Sequence, residues 1–426
     1  MSHQAHYIAP GQLRPGLYIH LDLGWMDHSF TFSSFKIKNE EQIEQIQALK
    51  LEKVRYDPRR SDLEPLPLAV AAATPAEITV PQVLNEPSEV VVDVQQQRLD
   101  ALHRAVYECE KKFSQAANEA KRIEREIFNN PPKNLAAARA LVDGLVDSLL
   151  AEGDVALHAM QQKPGAAENH VRSLNTLVLT LILAKSLDLS SDDAKYLGLG
   201  CFLHDVGMLQ IPSRITQKTE ALTKAELSLI QQHPALGTKF GMEQKLDTSV
   251  LKIIQQHHEC SDGSGYPLQL KQEQINSLAR IAAIAIAYEE LCNPVNIVQA
   301  MTPYEALAHM FVRLRSKFDE DILKVLIKCL GIYPPGSIVQ LSDNRYGIVV
   351  SVNPSKPLRP YVLLYAPEVP IAKPLLINLG DELGVSISRC LRQDQLPKDV
   401  LTYLAPGRRI CYFFNHEESE PEALPI

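Results

Sequence analysis

Residues 174–190, LNTLVLTLILAKSLDLS, form an apolar stretch that decides the class of fold. Apolar residues recur at helical spacing here and in AELSLIQQH, SVLKIIQQHHE and ARIAAIAIAYEELC, which predicts that helices dominate residues 135 to about 330. The best apolar run within it, LNTLVLTLILA at 174–184, is broken by Asn175, Thr176 and Thr180, and it is far shorter than the roughly 20 residues that cross a bilayer. A buried helix is therefore predicted, and membrane insertion is not.

The sequence pattern on both sides of this helical region predicts other kinds of structure. Residues 1–60 contain short β-rich runs, such as YIAPGQLRPGLYIHLD, and one stretch of helical spacing, NEEQIEQIQAL, which predict a small α+β module. Residues 61–90 are rich in Pro, Ala and Glu without periodicity and read as a linker. After GIYPPGS, the runs SIVQLS, YGIVVSVN and PYVLLYA predict a small β-rich domain over residues 331–426. The predicted fold is mainly α.

Residues 91–152 are predicted to form a long helix or a helical hairpin with a heptad seam. Two interpretations stay open: a homodimer through residues 92–127, or a helix that packs on its own domain, with the turn NNPPKN allowing the next helix to fold back. The seam positions are Leu99, Leu102, Val106, Cys109, Phe113, Ala116, Ala120, Ile123 and Ile127.

Composition excludes several classes of function. The 426 residues carry a formal net charge of -8, which argues against a nucleic-acid binder or a protein held to anionic membranes by charge. A local basic pocket could still hold one small phosphate ligand. The seven cysteines are scattered, and none forms a C-x-x-C pair. They indicate reduced thiols, and a cytoplasmic location is expected.

Histidine and carboxylate residues cluster in the helical region. A single histidine on a helix is more often structural than a ligand, but the order HD, HP, HHE and then DGSGYP is much more specific. Imidazole and carboxylate together suit iron, manganese or zinc, and paired sites of this kind favour phosphoryl displacement. The cluster comprises Glu168, His170, His204, Asp205, His233, His257, His258 and Glu259.

These motifs resemble the HD-GYP family, bacterial metal-dependent phosphodiesterases that hydrolyse cyclic di-GMP. The resemblance runs from about Glu168 to Leu307, and HHECSDGSGYPLQL at 257–270 is similar to the family's signature loop. LRPGLYIHLD, SFTFSSFKI and GIYPPGSIVQLSDNRYGIVV also resemble segments that accompany one branch of the family. The resemblance implies an all-helical HD-type domain at residues 153–330.

The resemblance also implies roles for the candidate ligands. Asp205 would bridge metals, with His204 in a first site, His233 and His257 in a second, and Glu168 and His258 in a third where one exists. The glycine-rich loop presents a surface for a ligand or protein, or else it is only a turn between helices. Its residues are Asp262, Gly263, Gly265, Tyr266 and Pro267.

Two of the four first-site ligands implied by the family are absent. Alignment puts Arg172 where the family has a histidine and Ile286 where it has the Asp of I-A-D-x-x-D-A-L. His170 lies two residues from Arg172, and at about 100° per residue it points to a nearly opposite helix face. We therefore expect the Arg172 guanidinium to replace the metal cation, neutralising Asp205 or pairing with Glu168.

Three further departures concern the phosphate. Met208 stands where the family's HDxGK motif has a lysine, and a thioether has neither charge nor a transferable proton. Losing one such group typically costs about 10²–10⁴-fold in rate. Val295 and Val298 stand where the family has cationic contacts to the dinucleotide. A phosphate beside two valines has no counter-charge.

Together the five departures predict a degenerate HD-GYP signalling protein of cyclic di-GMP circuitry, without efficient hydrolysis, that binds protein partners or a nucleotide such as cyclic di-GMP. His233, His257 and Asp205 would hold one divalent metal, such as iron or manganese, or none. Two alternatives stay open: an active cyclic di-GMP phosphodiesterase that recruits His170 and uses metal-bound water, and a coiled-coil dimeric scaffold.

Overall fold

The structure is a computed structural model, and the chain divides into two compact units, Met1–Glu86 and Pro87–Ile426. The residues that the structure describes are 6–21, 34–37, 39, 42–43, 46–47, 51, 53–63, 65, 89–150, 155–161, 169–353, 356–369, 375–382, 384–404 and 410–416. Most of the predicted linker, residues 66–88, and the candidate ligand Glu168 lie outside these ranges.

The N-terminal unit contains a four-stranded antiparallel sheet in the order β1-β4-β2-β3. Its buried core includes Leu17, Ile19, Ile37 and Ile46, and residues 42–43 and 46–47 are helical. The Asp62 amide donates to the Gly16 carbonyl at 2.9 Å, so the packed unit extends past residue 60. The strands are β1 His6–Ile8, β2 Tyr18–His20, β3 Ser34–Lys36 and β4 Val54–Tyr56. The predicted α+β texture of this module is confirmed.

The second unit is mainly helical, as predicted. Its helices are α1 Glu89–Glu126, α2 Pro131–Leu150, α3 Asn169–Ser186, α4 Ser191–Leu203, α5 Ser213–Thr216, α6 Lys224–Ile230, α7 His233–Glu243, α8 Thr248–Gln256, α9 Ser277–Cys292, α10 Pro303–Arg313, α11 Glu320–Leu330 and α12 Lys398–Leu404. Among the described residues, no helix combines the length and apolarity that crossing a bilayer requires.

Helix α3 contains the apolar run and lies at the centre of the second unit. It packs against α1, α4, α9 and α11, and Leu174, Leu177 and Leu181 are fully buried. The polar residues that interrupt the run have partners. Thr180 donates to the Thr176 carbonyl at 2.9 Å, and Asn175 exchanges hydrogen bonds with the backbone of the last strand. A buried polar side chain is tolerated where it is hydrogen-bonded in this way.

The C-terminal part forms a seven-stranded antiparallel sheet in the order β10-β6-β7-β5-β11, with β8 and β9 continuing from β7. Its strands are β5 Val155–Gln161, β6 Ile338–Leu341, β7 Tyr346–Ser351, β8 Tyr361–Leu364, β9 Leu375–Asn378, β10 Ile387–Leu391 and β11 Ile410–His416. The β-rich tail is confirmed. Strand β5 was not predicted: it precedes α3, inside the region expected to be all-helical, and pairs with β11 along its whole length.

The heptad seam of α1 is buried inside its own unit where its side chains are described. Cys109, Phe113, Ala120, Ile123 and Ile127 are all at most 9% exposed, and α1 packs on α2, α3 and β11. The packed-helix interpretation therefore holds for residues 109–127. The seam side chains before Cys109 lie outside those described, so a homodimer through residues 92–127 stays a prediction.

One buried histidine in the sheet makes stability depend on pH. Neither ring nitrogen of His158 has a hydrogen-bond partner among the described residues, and burial lowers the pKa of His158 from 6.5 to about 4. Between about pH 4 and pH 6.5, His158 is therefore protonated in the unfolded chain but neutral in the folded chain. Stability should be fully present above about pH 6.5 and fall by up to about 3 kcal/mol as the pH decreases to about 4.

We expect His158→Phe, which keeps a planar aromatic ring but cannot titrate, to abolish this part of the pH dependence. Urea unfolding of both proteins at pH 7.5 and pH 5 measures it. The same loss of stability in the variant and in the native chain would contradict the assignment.

Candidate metal centre

Three histidines lie where helices end. His204 follows α4, His233 lies shortly after α6, and His257 follows α8. Each Nδ1 contacts the carbonyl oxygen three residues earlier: His204 to Cys201 at 2.6 Å, His233 to Ile230 at 2.8 Å and His257 to Ile254 at 2.8 Å. Carbonyls in the last turn of a helix lack an intrahelical donor. Each imidazole Nδ1–H therefore supplies one, which leaves Nε2 to face away from the helix end.

Two of the Nε2 atoms face the Asp205 carboxylate, and the third, from His257, faces His233. His233 Nε2 lies 3.0 Å from His257 Nε2 and 3.3 Å from Asp205 Oδ1, and His204 Nε2 lies 3.4 Å from Asp205 Oδ2. Because Nδ1 carries the proton in each neutral ring, His233 and His257 bring two lone pairs together, which is repulsive unless a proton or a metal ion lies between them. Ligand nitrogens of His233, His257 and His258 all lie within 4.8 Å of one another.

This donor set fits a divalent transition metal. Metal-binding histidines usually donate the second ring nitrogen to a carbonyl or carboxylate, which orients the ring, and this arrangement is already present at His204, His233 and His257. Imidazole and carboxylate donors suit iron, manganese or zinc. Asp205, His233 and His257 would be the ligands, with His258 and His204 beside them.

The electrostatics keep His233, His257 and His258 neutral and Asp205 charged, which are the forms that bind a metal ion. Burial lowers the pKa of His233, lowers that of His257 well below its ordinary value and lowers that of His258 to about 4, so these three rings are neutral near pH 7. Burial by itself would raise the pKa of Asp205, but His204, His233 and Arg172 hold it well below its ordinary range. Burial also opposes the charged form of His204, yet Asp205 raises its pKa.

Close backbone contact fixes the HD turn against α7. Gly207 lies in the 3₁₀ turn Val206–Gln210, directly after Asp205 and Val206. A Cβ atom at Gly207 would lie 2.1 Å from the His233 carbonyl oxygen and 2.7 Å from the Gly237 nitrogen. Only glycine permits this approach, which places Asp205 beside His233. Sequence reasoning missed this glycine, although HDVG contains it.

The glycine-rich loop wraps around His258. Tyr266 stacks on the His258 ring at 4.6 Å, and the Tyr266 amide donates to the His258 carbonyl. Gly263 has φ +80°, and a Cβ atom at Gly265 would lie 2.4 Å from the His258 carbonyl oxygen. Buried Glu259 accepts from the amides of Leu268 at 2.6 Å and Leu270 at 2.8 Å. Glu259 is therefore a structural residue of the loop, while Tyr266 and His258 form one wall of the centre.

Arg172 binds partners that the sequence interpretation did not name. Its Nε lies 3.2 Å from Glu289 Oε2, and its Nη2 lies 3.2 Å from Glu290 Oε1. Its charge also acts on Asp205. Arg172 was expected to neutralise Asp205, but in the structure its positive charge is balanced by Glu289 and Glu290 as well. The alternative partner, Glu168, lies outside the described residues. The signal was present as YEEL, residues 288–291, which begins two positions after Ile286.

The other candidate residues have different environments. His170 Nδ1 lies 3.5 Å from Glu124 Oε2 of α1, as expected for a residue on a different face of α3. Met208 is half-buried, and Ile286 is buried in α9. Val295 is 37% exposed and Val298 is 88% exposed, so these two positions lie at the surface.

Parts of the chain are similar to known families, relatives and solved structures. The HD domain family (HD_5) matches residues 148–322, and a domain of unknown function (DUF3391) matches residues 6–138. A cyclic di-GMP phosphodiesterase of Pseudomonas aeruginosa is 27% identical over 375 residues, which is 87% of each chain. The cyclic di-GMP phosphodiesterase PdeB of Borreliella burgdorferi is 31% identical over 45% of this chain and 51% of its own length. The solved structure of an HDG"Y"P protein from Bdellovibrio bacteriovorus is 15% identical, with a TM-score of 0.41 over 76% of this chain and 98% of that chain.

The family models and the sequence relatives confirm the resemblance inferred from the motifs. Residues 148–322 are similar to the HD domain family, and they follow a region, residues 6–138, that is similar to DUF3391.

Two glycines test the importance of the contact between the HD turn and α7. Gly207→Ala should destabilise the protein by on the order of 2 kcal/mol, because a methyl group overlaps the His233 backbone. It should also lower the metal content. Gly144→Ala in α2 is the matched control: a Cβ there meets nothing within 4 Å, so about 0.5–1 kcal/mol of added stability is expected. Urea unfolding and elemental analysis provide the measurements, and equal behaviour of the two variants would contradict the packing argument.

Proposed function

We propose that this chain is a degenerate HD-GYP signalling protein of bacterial cyclic di-GMP circuitry, which binds a nucleotide or a protein partner without efficient hydrolysis. The supporting observation is the Arg172 guanidinium. It stands where the family resemblance implies a histidine ligand, it is paired with buried Glu289 and with Glu290, and its positive charge acts on Asp205. A fixed cation beside a bridging carboxylate opposes a metal ion at the same place.

A second cation position is retained. Asp205, His233 and His257 have the donor chemistry for one divalent ion, such as iron or manganese, with His258 adjoining them. When bound, such an ion supplies positive charge that stabilises negative charge on a phosphate. The proteins named as cyclic di-GMP phosphodiesterases among the relatives support a guanine dinucleotide as the ligand.

The residues near the expected phosphate favour binding over turnover. Met208 is half-buried and uncharged, and Val295 and Val298 present apolar side chains to solvent. None of the three can neutralise charge that develops on a phosphate oxygen or donate a proton to a leaving group. In this proposal the protein acts in the cytoplasm, and its output passes to other signalling proteins.

An active cyclic di-GMP phosphodiesterase is the second candidate. It is favoured by the convergence of His204, Asp205, His233 and His257, with Nε2 atoms as close as 3.0 Å. Such an enzyme needs its first cation despite Arg172, so metal stoichiometry separates the two candidates.

The decisive measurement is metal content together with cyclic di-GMP hydrolysis. The full chain, purified without chelator, should contain at most one iron or manganese per chain. It should release neither linear dinucleotide nor GMP when Mn²⁺ or Fe²⁺ is added. Two or more ions per chain with turnover would instead establish the active enzyme.

Restoring the family residues tests why the first site is lost. The triple change Arg172→His, Met208→Lys and Ile286→Asp should add about one ion per chain, and Val295→Arg in addition should tighten cyclic di-GMP binding measured by calorimetry. Met208→Lys alone is the control and should leave metal content unchanged. Because Ile286 is buried, circular dichroism must show that the triple variant is folded. Unchanged metal content in a folded triple variant would count against the proposal.

A further inference from the structure

Glu290 carries a carboxylate one helical turn from Ile286, the position where the family resemblance implies an aspartate. It lies four residues after Ile286 on α9, and residues four apart share one face of a helix. Ile286 is buried, whereas the Glu290 side chain is 42% exposed and long enough to adopt several rotamers. The family resemblance implies an aspartate ligand at Ile286. In this chain the next carboxylate on that face is therefore one helical turn further along.

An ion pair with Arg172 places Glu290 near the imidazole cluster. Its Oε1 lies 3.2 Å from Arg172 Nη2, and the charge of the same guanidinium acts on Asp205. The negative charge of Glu290 also acts on His233 and His258. Glu290 therefore faces the candidate centre across Arg172.

The neighbouring Glu289 has a different role. Its side chain is 2% exposed, and it accepts from Asn293 Nδ2 at 3.1 Å and from Arg172 Nε at 3.2 Å. Asn293 is itself fixed by two hydrogen bonds to the backbone of Ile410 in β11. Glu289 thus balances Arg172 in a rigid, buried pair. Glu290 and Asp205 remain as two further carboxylates beside the group of His233, His257 and His258, and nitrogen and oxygen donors together suit one divalent cation.

We propose that Glu290 is the carboxylate ligand of a divalent cation held by His233, His257 and His258, in place of the aspartate that is missing at Ile286. This inference rests on the proposed metal-binding function. Without the ion, Glu290 pairs with Arg172. With the ion, its side chain turns from the guanidinium to the metal, while Glu289 keeps Arg172 neutralised. Ions that accept mixed nitrogen and oxygen ligands, such as Mn²⁺, Fe²⁺ or Co²⁺, fit this set.

Metal titration of the full chain tests the role of Glu290. Glu290→Gln should weaken Mn²⁺ binding at least about 10-fold and should change the visible absorption spectrum of bound Co²⁺, which reports ligand number and type. Glu243→Gln, an exposed glutamate at the end of α7, is the matched control and should change neither. Equal Mn²⁺ affinity and equal Co²⁺ spectra for the native chain and Glu290→Gln would overturn the inference.

A second set of variants tests whether Glu290 binds the metal ion or only neutralises Arg172. Arg172→Gln combined with Glu289→Gln removes both members of the buried pair, so that no unpaired buried charge remains. If Glu290 is a ligand, adding Glu290→Gln weakens Mn²⁺ binding about 10-fold in this background as well. If it acts only through Arg172, the effect disappears and the inference fails.

The outcome for the native chain distinguishes this inference from the function on which it rests. Mn²⁺ binding that is lost in His233→Ala but kept in Glu290→Gln would preserve the metal site and reject Glu290. A native chain that binds no Mn²⁺ would reject both the inference and the retained cation position, whereas the proposed function without efficient hydrolysis is tested separately by the hydrolysis assay.

Discussion

The candidate centre depends on hydrogen bonds between three imidazoles and the ends of three helices. At His204, His233 and His257, Nδ1–H donates to a carbonyl in the last turn of the preceding helix. The same bond satisfies an orphan carbonyl and selects the tautomer, and it turns Nε2 towards Asp205 in His204 and His233 and towards His233 in His257. The C-terminal ends of helices also carry partial negative charge, which favours a cation between them. The rings are therefore oriented before any ion is bound, and ion binding need not order them.

A second constraint is the buried ion pair of Arg172 and Glu289. Removing one partner of such a pair typically costs about 3–5 kcal/mol, because the other charge is left unpaired in the interior. Here the pair joins α3 to α9, and Asn293 extends it to β11. Arg172 stands where the family resemblance implies a metal ligand. In this chain it helps to connect the helical region to the sheet. This coupling explains why a charged residue persists beside Asp205.

Residue patterns within short segments were sufficient to predict much of this fold. The apolar repeat of α3, the order of the histidine motifs and the β texture of the tail all follow from residue spacing within short segments. Helix geometry alone also separated His170 from Arg172, and the structure places His170 against Glu124. Strand β5 was missed because its seven residues pair with a strand about 250 positions later. Glu290 was missed because comparison position by position looks for a ligand only at Ile286.

The sequence by itself determined the helical class, the HD and glycine-rich motifs and the absence of a carboxylate at Ile286, because these properties reside in residue identity and local spacing. Tertiary structure decided the rest. It showed that the α1 seam is filled by its own unit over residues 109–127, that Gly207 touches α7, and that Glu289 and Glu290 balance Arg172. Each of these is a distance between residues far apart in the chain, and such distances are set by how helices and strands pack rather than by any one segment.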